Sequence, residues 1–178
     1  MDTRHKIVAP FRLRRGMSSG IEMLKPSVVR AVTLGILLGC AAPQAAEDIG
    51  YDSRADAAAQ LAEGVAQAKS EGKLLLAIAG GDWCIWCHYL NAFVTNNADV
   101  DDALHDTFVI VKVYYGDDNK NEAFFSSWPK ADGYPHFWVF SGDGNLLSSQ
   151  PTLPLEDGGK SYDKEEFLAF IARWQDRR

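Results

Sequence analysis

The chain has 178 residues, 47% of them hydrophobic, three cysteines and a formal net charge of −6. Seven of its 18 basic residues but only two of its 24 acidic ones fall within residues 1–39, so the remainder carries about −11 and lacks the basic surface that nucleic-acid binding requires. Beyond residue 39, 139 residues suit one domain built around one core.

Residues 1–39 read as a signal peptide. Arg4, Lys6, Arg12, Arg14, Arg15, Lys25 and Arg30 precede an apolar stretch from Ala31 to Gly39. A basic start, a short apolar segment and small residues form the secretory pattern, and the segment is far shorter than the about 20 residues that span a bilayer. It ends Leu37-Leu38-Gly39-Cys40, which resembles the bacterial lipoprotein box. The resemblance implies that Cys40 is acylated as the first mature residue and that the membrane is reached only through this anchor. It implies the periplasmic side of the envelope, at the outer membrane because Ala41 stands where a retention Asp would be. The alternative is cleavage near Ala45-Ala46 and a soluble periplasmic protein. A start at Met17 or Met23 would shorten the leader. Residues 40–51 then form a tether, Ala-, Pro- and Gln-rich through most of its length.

The domain is expected over 52–178. Asp52 or Ser53 can cap a first helix running to about Ser70, with Leu61, Val65 and Ala68 on its apolar face and Gly72 as its stop. Leu74–Ala79 is aliphatic and unalternating, as a strand buried on both faces is. After the turn Gly80-Gly81-Asp82, a helix from Cys84 to about Thr95 presents Tyr89, Leu90, Phe93 and Val94. Asn96-Asn97 breaks it, and Asp99–His105 forms a helical turn. Phe108–Val113 is a second buried strand and Asn121–Trp128 a short helix ending at Pro129. Gly133-Tyr134-Pro135 leads into a third strand, His136–Phe140; Ser141–Asn145 is a hairpin turn, and Leu146–Gln150 returns antiparallel. A Pro/Gly-rich loop over 151–160 precedes a last helix. Asp163 and Glu166 have capping-box spacing at its start, and Phe167, Phe170, Ile171 and Trp174 form its apolar face. Alternating βαβ followed by a hairpin and a helix predicts an α/β fold, a mixed sheet with helices on both sides.

The chemistry concentrates in Trp83-Cys84-Ile85-Trp86-Cys87-His88. Two cysteines three positions apart can close a small, reversible disulfide. A strand that ends in this motif and opens a helix puts the first sulfur at the helix N-terminus, where unpaired N–H groups and the dipole favour a thiolate, the species that attacks disulfides. Other readings remain open. Cys-x-x-Cys-His is also the attachment signature of c-type haem, with His105 or His136 as a distal ligand. The thiols could bind a soft metal such as copper, or form an inert staple. A structural zinc site normally takes four ligands, and no second Cys/His pair is present.

With the strand before Cys-x-x-Cys and Pro135 opening the next-to-last strand, residues 53–175 resemble the thioredoxin fold. In style they resemble its single-domain exported members, and they are similar to the C-terminal domain of the bacterial membrane thiol:disulfide interchange protein. The resemblance implies a thiol:disulfide oxidoreductase with no cofactor and no metal. Its partners would be cysteine-containing exported proteins or a redox partner protein. Cys84 would be the exposed nucleophile and Cys87 the resolving thiol. Trp83 would pack beside the site. Pro135 would be cis, with the backbone of Tyr134 facing the sulfurs and its side chain shaping substrate choice. Trp86, between the cysteines, would tune the potential and gate access. Two features depart from the family: Ile78 occupies the position of the buried Asp six residues before the first cysteine, and Ile85-Trp86 is the dipeptide between the cysteines. Without that acid Lys112, which matches the family's lysine partner, is left to snorkel, bind Asp82 or act on a thiol from nearby; His88 either stabilises a thiolate or, the reading preferred here, sits solvated on its helix. The non-catalytic alternative is a binding or copper-handling module on the same fold.

The lipid anchor is directly testable. Labelled fatty acid should enter the wild-type protein and not Cys40→Ala, whereas a mature N-terminus at Glu47 would indicate soluble export.

Overall fold

The computed structural model describes residues 48–177; the segment expected as a signal peptide and Cys40 lie outside them. The elements are α1 (Ala57–Glu71), β1 (Leu74–Gly80), α2 (Ile85–Asn96), α3 (Ala98–Thr107), β2 (Phe108–Tyr114), α4 (Glu122–Phe125), β3 (His136–Phe140), β4 (Leu146–Pro151) and α5 (Lys164–Gln175), with one 3-10 turn at Leu153–Leu155. The sheet order is β2-β1-β3-β4. β1 runs parallel to β2, and β3 runs antiparallel to both β1 and β4.

All seven residues of β1 are buried, as an unalternating aliphatic strand at the centre of a two-sided sheet must be. Leu74, Leu76 and Ile78 enter one core with residues of α2, α3 and α5. Leu75, Ala77 and Ala79 enter the other with Trp138, Phe140 and the faces of α1 and α4. One strand therefore seals both layers, and its C-terminal end emerges where α2 begins.

Local chemistry sets the helix ends. α1 starts later than Asp52 or Ser53. The Asp52 carboxylate instead accepts from the backbone N–H of Arg54 at 2.9 Å, a local turn that competes with helix. Asp56 is the cap, accepting from Ala58 and Ala59. Gly72 ends the helix at φ 65°, a conformation that costs a residue without Cβ little. The expected turn at 99–105 is a full helix, α3, closed by the Thr107 hydroxyl on the Ala103 carbonyl. α4 is shorter than expected. The hydroxyls of Ser126 and Ser127 both donate back to the Ala123 carbonyl and end it before Pro129. Asp163 caps α5 through the N–H groups of Glu165 and Glu166.

The segment expected as tether differs at its end. Ile49 and Tyr51 are buried, 5% and 7% exposed. They join a small cluster with Cys84, Cys87 and Tyr114 rather than linking freely to α1.

Phe167 anchors α5 against the sheet. It is fully buried, with its ring centroid 5.2 Å from that of Phe93 and edge-on to Phe137 and Tyr162. Phe167→Ala should cost about 3–5 kcal/mol in chemical denaturation, the usual range for emptying a buried aromatic site; a loss well under 1 kcal/mol would contradict this packing.

Candidate functional site

β1 ends in Gly80, and the chain turns through Gly81 and Asp82 into α2. Cys84 is the N-cap of α2: its backbone is extended, at φ −90° and ψ 105°, and its sulfur accepts the N–H of Cys87 at 3.2 Å. Its carbonyl receives the N–H groups of Cys87 and His88. Cys84 and Cys87 are joined as a disulfide with their Cα atoms 5.2 Å apart. The first sulfur thus stands where the helix presents unpaired N–H groups, the place that favours an anion.

Cys84 is not exposed as expected. It is 4% exposed and Cys87 2%. Ile49, Tyr51 and Tyr114 cover the pair, with Trp86 and Tyr134 packed against them. The apolar side chains on either side of Cys84 face outward instead, Trp83 at 54% and Ile85 at 57% exposed.

An aromatic rim borders the sulfurs. Trp83 donates its indole N–H to the Tyr115 carbonyl at 2.6 Å and meets Tyr134 edge-on at 5.6 Å. Tyr134 stacks on Tyr115 at 5.1 Å. Burial, then Tyr115, pushes the Tyr134 hydroxyl up to about 12, so it stays neutral and able to donate. Trp86 is edge-on to Tyr89 and Tyr162 and lies between the sulfur cluster and the larger core.

The Tyr134–Pro135 bond is cis. Pro135 is buried, and its carbonyl accepts the Thr152 hydroxyl at 3.0 Å, tying the start of β3 to the end of β4. His136 follows, 2% exposed, with Nε2 2.8 Å from the Ser149 hydroxyl oxygen.

Ile78 and Lys112 pair in register across β1 and β2. Ile78 contributes only apolar surface. The Lys112 ammonium donates to the Ile49 carbonyl and to Asn91 Oδ1, the latter at 3.1 Å, and lies 5.7 Å from the Tyr51 ring centroid. Burial lowers its pKa, against the opposing pull of Asp82 and Asp48. Asp82 Oδ1 in turn accepts the N–H of Ile49 at 3.4 Å. Lys112 and Asp82 therefore hold residue 49 from its two backbone ends rather than pairing with each other.

His88 is not solvated as expected: its Nε2 lies 2.8 Å from the Asp82 carbonyl oxygen, which engages the atom a haem iron would need. His105 is held by Asp101. Among the described residues no three His, Cys, Asp or Glu side chains stand close enough to share a metal ion.

The sequence reading missed Ile49, Tyr51 and Tyr115. The signal for the first two is slight: Ile49-Gly50-Tyr51, one aliphatic and one aromatic residue at the end of a segment otherwise read as linker.

Residues 56–142 match a family model described as thioredoxin-like. No protein of curated function matches the chain. Among solved structures, a disulphide isomerase from Xylella fastidiosa Temecula1 is similar with a TM-score of 0.60 at 23% identity, over 71% of this chain and 96% of that one. The C-terminal domain of DsbD from Neisseria meningitidis, in its oxidised form, is similar with a TM-score of 0.52 at 20% identity, over 67% and 97% of the two chains. Both likenesses are of fold, a mixed sheet flanked by helices.

Burial lowers the pKa of His136, with Asp132 pulling weakly the other way. The folded state therefore binds a proton less readily than the unfolded chain does. Its contribution to stability is whole above the ordinary value of 6.5 and is lost as pH falls below it. Denaturation midpoints should drop through that window, and His136→Gln should flatten the drop; equal slopes for the two proteins would contradict the assignment.

Proposed function

Because this chain is a thioredoxin-fold protein that joins Cys84 to Cys87 at the head of a helix, we propose that it is a thiol:disulfide oxidoreductase. Its substrates are cysteine-containing exported proteins or a redox partner protein. The observation that carries this reading is the place of Cys84, whose sulfur caps α2.

In the reduced protein the free N–H groups at the start of α2 stabilise a Cys84 thiolate. That thiolate attacks one sulfur of a substrate disulfide, forms the Cys84–substrate bond and releases the other substrate sulfur as thiolate. Cys87, one helical turn on, then attacks Cys84 Sγ, closes the Cys84–Cys87 bond and expels the substrate's second sulfur. The same steps run in reverse when the disulfide is donated. Trp83, Tyr115 and Tyr134 offer an aromatic face to an apolar segment beside the reacting cysteine. Pro135 brings no N–H to the sulfurs, so it holds the loop without competing for the substrate backbone. The leader and the Leu-Leu-Gly-Cys run support action on the periplasmic side of the envelope, with Cys40 as a lipid anchor.

Trapping tests the roles of the two thiols. Cys87→Ala should accumulate disulfide-linked partners from an exported fraction, because nothing resolves the mixed disulfide, while Cys84→Ala should capture none. Capture by neither variant would reject exchange and leave a binding module; equal capture by both would reject Cys84 as the nucleophile.

A further inference from the structure

If Cys87 resolves the mixed disulfide, it must act as a thiolate, and burial disfavours that form. The apolar Ile78 on β1 offers it no acid or donor. Tyr51 does. A methyl group added to Gly80 would collide with Cys87 Sγ and stand 2.8 Å from the Tyr51 hydroxyl oxygen. The sulfur and the hydroxyl thus lie against one face of the same glycine, which is the residue that leaves room for both. Both side chains line a cavity of about 180 Å³ together with Ile78, Asn91 and Lys112.

We propose that Tyr51 is a positioning residue for Cys87: once the disulfide opens, its hydroxyl donates a hydrogen bond to the Cys87 thiolate, a task the apolar Ile78 cannot perform. This rests on the exchange reading above and names the group that serves its resolving step.

Tyr51 is held for this task. It is 7% exposed. The preceding turn is fixed by Lys112 on the Ile49 carbonyl and by Asp82 on the Ile49 N–H, with the Lys112 ammonium also over the Tyr51 ring. Burial foremost, then Tyr162 and Asp82, raises the pKa of the phenol, so it stays protonated and remains a donor. Lys112 is a cation of this cluster; Asp82 and Asp48 are the carboxylates that act on it, and Asp101 and His105 also line the cavity. In the step served, the Cys87 proton passes to solvent and the Cys87 sulfur attacks Cys84 Sγ. The Cys84–substrate bond breaks as the Cys84–Cys87 bond forms, and the substrate leaves as a thiolate that takes up a proton. The dithiol is oxidised by two electrons and the substrate disulfide is reduced by the same two. In reverse, Cys87 is the leaving thiolate and the hydroxyl stabilises it equally.

The test compares wild type with Tyr51→Phe, which keeps the ring and removes the hydroxyl. In a Cys84→Ala background, thiolate absorbance against pH should show the Cys87 pKa rise by about one unit in the Phe variant, a tenfold change in thiolate fraction. With Cys84 present, resolution of a preformed mixed disulfide with glutathione should slow about tenfold at neutral pH, while alkylation of Cys84 keeps its rate. An unchanged Cys87 titration and an unchanged resolution rate would overturn the proposal. A measurement free of any change at Tyr51 uses the Cys84→Ala protein with labelled tyrosine: the Tyr51 Cζ resonance should follow the Cys87 titration, and a resonance indifferent to it would also overturn the proposal. Failure of the exchange reading looks different, since wild-type protein would then form no mixed disulfide with glutathione at all.

Discussion

Everything at this site depends on how β1 ends. The strand is buried on both faces, so its side chains are committed to the two cores and its last residue must release the chain into α2 at close quarters. That last residue is Gly80, and any larger residue would strike Cys87 Sγ on its open side. The absence of one Cβ leaves room for Cys87 Sγ and the Tyr51 hydroxyl against the strand end, at the start of the helix that Cys84 caps. The sulfur pair is consequently enclosed, and its electrostatics come from a helix terminus and a few neighbours rather than from bulk water.

Enclosure shapes what the pair can do. An exposed thiol exchanges with any disulfide that reaches it; here the two cysteines are 4% and 2% exposed and lie beneath Ile49, Tyr51 and Tyr114. On the proposed reading, a partner approaches along the aromatic border of Trp83, Tyr115 and Tyr134. The covering turn is held by two charged side chains on opposite backbone ends of Ile49. Hydrogen bonds to a charged group are worth about 1.5–3 kcal/mol each, so this cover is an integral part of the site rather than a loose end.

Much of this was legible in the sequence, and the reasons are local. The burial of β1 follows from six unbroken apolar residues. The ends of α1 and α5 follow from Gly72 and from Asp163 with Glu166, because caps act within a few residues. The position of the sulfurs at a helix head follows from a strand that runs into Cys-x-x-Cys. The cis bond at Pro135 came from family resemblance and not from the residues themselves. What stayed hidden depends on distant contacts. Lys112 and the Ile49 carbonyl are 63 positions apart, and no periodicity near either residue announces their meeting. The burial of Tyr51, and with it that of Cys84, rests on the same turn. The start of α1 was misplaced for a nearer reason: Asp52 and Asp56 are both good caps, and only the Asp52–Arg54 turn decides between them.

The central claim is that Cys84–Cys87 is a working redox couple and not a staple. The most direct measurement is its reduction potential, from equilibration of the pair against graded thiol–disulfide buffers with the two states separated by alkylation. A working couple should interconvert reversibly in one two-electron transition, between about −270 and −120 mV, the span of exchange-active thioredoxin-fold proteins. A pair that stays oxidised until below about −300 mV, where structural disulfides lie, would contradict it.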